Sequence, residues 1–278
     1  MSLLYNINFD KSVNMYIAGD KCPYLCFKNW KNDRVLATFS TRLGGVSSDY
    51  YSSMNLGFKN GDNIDNVIKN LDIISNEMNI DSKKIILANQ THTNNVRYID
   101  KKALIGFDIS KSNLTDIDGL ITDDENIVLS ATFADCVPVY VFDKKNNVIS
   151  LLHAGWRGSQ SNIVKNCLDM ITDDRSKVEI CIGPSISQKN YEVSEDVAKM
   201  FMDLYERDDI NKIMYRNEKG GYMLDLWSVN KLNSMYAGID ERNIIVSNLC
   251  TFDRPDLFFS HRFSNGKRGN MMAFMKLK

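Results

Sequence analysis

Between Asn126 and His153 the chain passes through three strand-length apolar segments, Ile127–Phe133, Val137–Phe142 and Val148–His153, parted only by short polar turns. A strand with one wet face alternates apolar and polar residues, whereas a nearly continuous apolar run belongs to a strand covered on both faces. A sheet with packed layers on either side is therefore the centre of the fold. Shorter β-rich runs at Lys84–Gln90, Val178–Ile182, Ile244–Ser247, Leu257–Ser260 and Met272–Leu277 predict further strands. Helices are predicted at Asp62–Asn79, at Ser159–Ile171, and around Ser194–Tyr205 and Asp225–Tyr236. The first has Val67, Leu71, Ile74 and Met78 at helical spacing behind an Asp62 cap. Strands and helices mixed without a regular βαβ alternation predict the α+β class. Four prolines, no internal repeat and no Pro/Gly/Ser-rich linker predict one domain over residues 1–278.

Composition narrows the partners. With 44% hydrophobic and 25% charged residues the chain has the make-up of a soluble globular protein, long enough to form its core without metal or disulfides. A net charge of −1, with no basic stripe, argues against a nucleic-acid partner. The segment Met1–Asp20 lacks a signal-like apolar run, and runs such as Val137–Phe142 are too short for a bilayer. Six irregularly spaced cysteines read as reduced thiols, so a cytoplasmic location is expected, with Cys22 and Cys26 structural.

Only three histidines occur: His92, His153 and His261. Imidazole chemistry near neutral pH must draw on these. Each falls at or just beyond the end of a predicted strand, as does Cys136, and such positions present functional groups on a rigid scaffold. His92, Cys136 and His153 suit a three-ligand metal site that leaves a fourth position for water or substrate. Their spacing is wide and matches no local metal motif, so two other readings stand beside this one. Both histidines can be satisfied core residues around a small buried thiol, or Cys136 and His153 can pair as thiolate and imidazole in a metal-free hydrolase or deamidase.

Anion-binding candidates surround these residues. His153-Ala-Gly-Trp-Arg157-Gly-Ser159 reads as a strand-to-helix turn whose helix start and Arg157 suit phosphate or carboxylate. Ser40 to Ser48 clusters glycines, hydroxyls and Arg42 but lacks the P-loop pattern; taken alone, a plain glycine hairpin between strands explains it better than an oxyanion site. His261 and Arg262, followed by Gly266-Lys-Arg268-Gly269, form a cationic C-terminal stretch that suits an anion or a surface loop. Among the carboxylates Asp118, Asp123, Asp124 and Asp135, the last precedes Cys136 and is the candidate to orient a ligand or move a proton.

Taken in order, these segments resemble the YfiH-like family, long labelled polyphenol oxidases or laccases and now regarded as purine nucleoside enzymes. The resemblance runs through Thr41-Arg42-Leu-Gly44-Gly45-Val-Ser47, Met54-Asn55-Leu-Gly57, Gln90-Thr-His92, Asp118-Gly119-Leu, Ala134-Asp135-Cys136-Val-Pro138-Val and His153-Ala-Gly-Trp-Arg157-Gly. It continues through Ile182-Gly183-Pro184, Tyr191-Glu-Val and the late Phe-Ser-His261-Arg262. The resemblance implies a mixed β-sandwich flanked by helices in α-β-β-α layers, with zinc on His92, Cys136 and His153. It places Arg42 and Asn55 in the substrate pocket, with Gln90, Arg157, His261 and Arg262 further candidates there. It implies phosphorolysis of adenosine, inosine, guanosine and methylthioadenosine, and deamination of adenosine. Two departures bear on substrate preference: Thr93 replaces a glycine common after the first histidine, and Phe263 stands where many members have a second arginine. Multicopper oxidation is disfavoured, because one remaining histidine cannot build the extra copper cluster, so any copper would be adventitious. A non-catalytic nucleotide-sensing module is the third function considered.

Overall fold

The computed structural model describes residues 7–104, 108–109 and 114–278. In chain order the first strands are β1 (Met15–Ala18), β2 (Tyr24–Phe27), β3 (Val35–Ser40), β4 (Ile85–Leu87), β5 (Val96–Tyr98) and β6 (Gly119–Thr122). Next come β7 (Val128–Phe133), β8 (Val137–Asp143), β9 (Val148–Ala154), β10 (Val178–Ile182) and β11 (Glu192–Val193). The last are β12 (Met214–Arg216), β13 (Tyr222–Leu224), β14 (Ile244–Val246) and β15 (Met271–Leu277). The helices are α1 (Ile64–Glu77), α2 (Trp156–Gln160), α3 (Ile163–Ile171), α4 (Glu195–Met202), α5 (Arg207–Ile213) and α6 (Leu226–Tyr236). One mixed six-stranded sheet has the order β1-β2-β3-β15-β7-β4, a second β14-β10-β8-β9-β6-β5, and β11-β13-β12 form a small antiparallel sheet.

The two large sheets stack face to face. Phe39 of β3, Phe133 of β7 and Met271, Ala273 and Met275 of β15 share one core with Tyr140 and Phe142 of β8 and Ile149 and Leu151 of β9. The alternate residues of β8, Val137, Val139 and Val141, face outward onto α3 and α6 through Val164, Leu168 and Val229. On the far side, Met272 and Phe274 pack under Leu71 and Ile74 of α1. This is the α-β-β-α layering of an α+β fold, and it explains the unbroken apolar runs: every residue of β8 and β9 is buried. The Tyr140 hydroxyl joins the sheets by donating to the Thr38 carbonyl at 2.8 Å.

Three expectations are corrected. The helix predicted over Ser159–Ile171 is two helices, α2 starting earlier at Trp156, with a break at Asn162, whose left-handed φ of 57° no continuous helix accommodates. Asn63, not Asp62, caps α1; the Asp62 carboxylate instead accepts from Ser47 and Asn55. Leu257–Ser260 is not a strand. The amides of Leu257 and Phe258 turn back to the Arg254 carbonyl, and the run is apolar because Leu257, Phe258 and Phe259 plug the inter-sheet core. Among the described residues no helix is long and apolar enough to cross a membrane.

Candidate metal centre and adjoining cavity

The site forms at one end of the sandwich, where three connections meet. His153 lies on β9 in the same inward phase as Ile149 and Leu151, one residue before the strand ends. Cys136 sits in the turn that carries the chain from β7 in one sheet to β8 in the other. His92 follows β4 in a loop and has a left-handed φ of 66°. One ligand atom from each of the three lies within 4.8 Å of the others. His92 Nε2 is 3.9 Å from Cys136 Sγ, and the two imidazole rings meet edge-on with centroids 4.9 Å apart.

A buried carboxylate organises this triangle. Antiparallel pairing of β6 with β9 sets Gly119 opposite Leu152, which brings Asp118 beside His153. The Asp118 side chain has no exposed surface, and its Oδ1 lies 2.7 Å from His153 Nδ1. It also accepts the backbone N–H groups of Thr91, His92 and Thr93 and the Thr93 hydroxyl, at 2.8–3.2 Å. One carboxylate therefore fixes both histidines, one through its ring and the other through its backbone. Burial opposes the charge on Asp118, but the His153 contact and these donors outweigh it, and its pKa falls to about 2. An ionised acceptor receives a hydrogen bond from the Nδ1–H of His153 and so turns its Nε2 toward the triangle as the ligand atom. Thr93 adds its hydroxyl to this grip.

Burial also pushes the Cys136 thiol up, yet the charge and hydrogen bond of His153, helped by His92, pull it down to about 6. Burial pulls His153 down, but the Cys136 thiolate and Asp118 raise it above its ordinary value. The donor set fits a transition metal: two imidazoles, a thiol that ionises readily and a carboxylate behind one imidazole. Gly155 keeps the space open, since a Cβ there would lie 3.0 Å from the His92 ring and 3.2 Å from Cys136 Sγ.

The triangle faces a cavity of about 510 Å³, the size class of small-molecule sites. Phe58, Leu87, Ile186 and Tyr191 are among its apolar walls, while Asn60, Gln90, Asp135, His261, Arg268 and Asn270 supply polar atoms. Gln90 clamps the end of β7: its side-chain oxygen accepts from the Thr132 N–H and hydroxyl, and its amide donates to the Thr132 carbonyl. Asp135 is not the ligand's orienting partner, a position held by Asp118. Its carboxylate ties down the C-terminal loop, accepting from Thr251 at 2.6 Å, Ser260 at 2.9 Å and the Arg262 N–H at 2.7 Å.

The other expected residues divide. His261 lines the cavity, and so does Arg262, whose guanidinium donates to the Glu192 carbonyl and lies over the Tyr191 ring. Arg42 does not line it; its guanidinium donates to the Ser52 and Pro255 carbonyls and stacks on Phe259. Asn55 is wholly buried behind the wall, bonded to Asn60, Asp62, Gly57 and Asn270. Arg157 is exposed on the five-residue α2, stacked 4.2 Å over Trp156 and outside the cavity lining. Sequence reasoning names Arg268 only as part of the cationic stretch around Gly266, and Asn270 not at all; both line the cavity.

Fold and site thus define an α+β sandwich protein with a His–Cys–His group suited to a metal at the sandwich's end. Residues 36–278 match the family model described as multi-copper polyphenol oxidoreductase laccase. The chain belongs to that family, the YfiH family. It is 34% identical to purine nucleoside phosphorylase YlmD of Bacillus subtilis, over 90% of this chain and 91% of that protein. It is 32% identical to purine nucleoside phosphorylase SERP0752 of Staphylococcus epidermidis, over 93% and 97%. The solved structure of Bacillus licheniformis hypothetical protein YfiH superposes with a TM-score of 0.86 at 32% identity, covering 92% of this chain and 96% of that one.

Proposed function

We propose that residues 1–278 form a single catalytic domain, a purine nucleoside phosphorylase that also deaminates adenosine, with zinc held by His92, Cys136 and His153. The observation that carries this reading is the ligand triangle facing a nucleoside-sized cavity, in a chain about a third identical to proteins named purine nucleoside phosphorylases. Zinc in such a site supplies Lewis acidity, polarising a bound oxygen and lowering the pKa of water. The chain's own residues do the rest. Asp118 keeps His153 Nε2 turned to the triangle, and Phe58 and Tyr191 offer flat apolar surface to a purine. In phosphorolysis a phosphate oxygen bonds the anomeric carbon as the glycosidic bond breaks. Its electron pair leaves with the purine, which takes up a proton. In deamination water adds at C6 and ammonia departs.

The family's copper description does not carry over into multicopper chemistry here. Three histidines in the whole chain leave only His261 beyond the triangle. A metal-free cysteine hydrolase is the second reading, favoured by the lowered Cys136 thiol beside His153.

Incubation with adenosine, inosine, guanosine and methylthioadenosine, with and without phosphate, followed by chromatography, tests the proposal. Free base and ribose 1-phosphate (5-methylthioribose 1-phosphate from methylthioadenosine) that need phosphate, with inosine formed from adenosine without it, are expected. No product from any nucleoside, or turnover that resists chelation and is lost on thiol alkylation, contradicts it.

A further inference from the structure

The C-terminal loop supplies a cation that the ligand triangle does not use. Arg268 is half-buried and lines the same cavity as His92, Cys136 and His153. One edge of its guanidinium is engaged, because Nη1 donates to the side-chain oxygen of Asn270 and to the Gly269 carbonyl. The other edge is not. Nε is buried without a hydrogen-bond partner, and Nη2 has no acceptor among the described residues. A buried N–H lacking an acceptor is rare in folded proteins and points to a partner from outside the chain. Two N–H groups on one guanidinium edge match two oxygens of a tetrahedral oxyanion.

The surroundings hold that edge in place. Asn270 accepts from Asn60 Nδ2 at 3.2 Å, and its backbone N–H donates to Asn55 Oδ1 at 2.8 Å. Asn55 Oδ1 also receives the Gly57 N–H and Asn60 Nδ2. Two glycines permit this close approach. A Cβ on Gly57 would lie 2.9 Å from Asn270 Oδ1, and one on Gly269 would lie 2.7 Å from the Phe259 ring and 3.0 Å from the Asn55 Cβ. Segments 215 residues apart thus combine to fix one side chain. Arg262, the other arginine at the cavity, donates to backbone carbonyls of Asn190 and Glu192.

We propose that Arg268 anchors inorganic phosphate in this cavity through Nε and Nη2, with Asn55 and Asn270 as positioning residues. The inference rests on the phosphorylase reading above. It moves the phosphate contact from Arg42, whose guanidinium is bonded to carbonyls, to the C-terminal loop.

The test titrates inorganic phosphate into the metal-loaded full-length protein and measures the phosphate and nucleoside KM of phosphorolysis. The variants are Arg268→Gln, Arg268→Lys and Asn270→Ala. Arg268→Gln is expected to weaken phosphate binding and raise its KM about 10- to 100-fold, the loss of charge-assisted hydrogen bonds, with little change in nucleoside KM. Lysine, a point charge without the fork, restores only part, and it decides the matter should the glutamine variant fail to fold. Asn270→Ala shows the same split more weakly. Unchanged phosphate binding and KM in both Arg268 variants, with wild-type phosphorolysis intact, overturns the Arg268 assignment and leaves the phosphorylase reading standing. A wild type that neither binds phosphate nor needs it for turnover removes both.

Discussion

His153 is gripped from two directions, by Asp118 at Nδ1 and by the charge of Cys136 on its other side. The consequence falls on the thiol. In metal-free protein Cys136 should alkylate with a pH midpoint near 6, slowly below it where the thiol is protonated and at full rate above it. The other five cysteines are buried, and burial pushes Cys22 and Cys167 up to about 12 and Cys26 to about 11, so labelling near neutral pH should be confined to Cys136. Asp118→Asn removes the charge that sustains the imidazolium, and the midpoint should rise. Iodoacetamide labelling read by mass spectrometry checks both; a midpoint near that of a free thiol in the wild type would contradict the account. The triangle was legible as one of several readings because so few histidines exist and two of them lie at or beyond the end of a strand; the family resemblance singled it out. Asp118 was legible only as one of several carboxylates. What distinguishes it from Asp135 is the β6–β9 register, a tertiary fact with no local trace.

Among the elements, β7 to β9 were readable because burial on both faces removes polar residues from the pattern. Leu257–Phe259 shows the limit of that signal: apolar character reports burial, and a core-plugging turn gives the same run as a strand. Strands of two or three residues, such as β11 and β12, are too short to establish a period. The break between α2 and α3 was hidden because the polar stretch Arg157–Asn162 carries no apolar residue to set a period, so nothing in the pattern marks where one helix stops. Asn162 makes that break by adopting a left-handed conformation while its side chain accepts the Lys165 N–H. Asn162→Ala loses both the cap and the residue type that tolerates this backbone, and should cost about 1–2 kcal/mol in a urea melt. Asn162→Gly retains the conformational freedom and should cost less. A neutral Asn162→Ala would show that the junction does not depend on this residue.

For the whole molecule, the important relation is between core and site. The inter-sheet core runs from Val13 to Leu277, and the ligand triangle touches only its edge, through Cys136 and through His153 against the Phe133 ring; the triangle lies at the end of the sandwich on a turn, a loop and the last residues of a strand. Cys136 is only partly buried and closes no disulfide. The protein should therefore tolerate loss of the metal and of Cys136 without unfolding, so chemistry and stability can be measured apart. The most direct test of the central claim is elemental analysis of wild type and Cys136→Ala, paired with product chromatography on adenosine and phosphate and with circular dichroism. The account predicts about one zinc per wild-type chain, a large fall in the variant with its fold retained, and loss of both base release and inosine formation. A variant that keeps its metal and its turnover, or a wild type fully active after the metal is stripped, would contradict it.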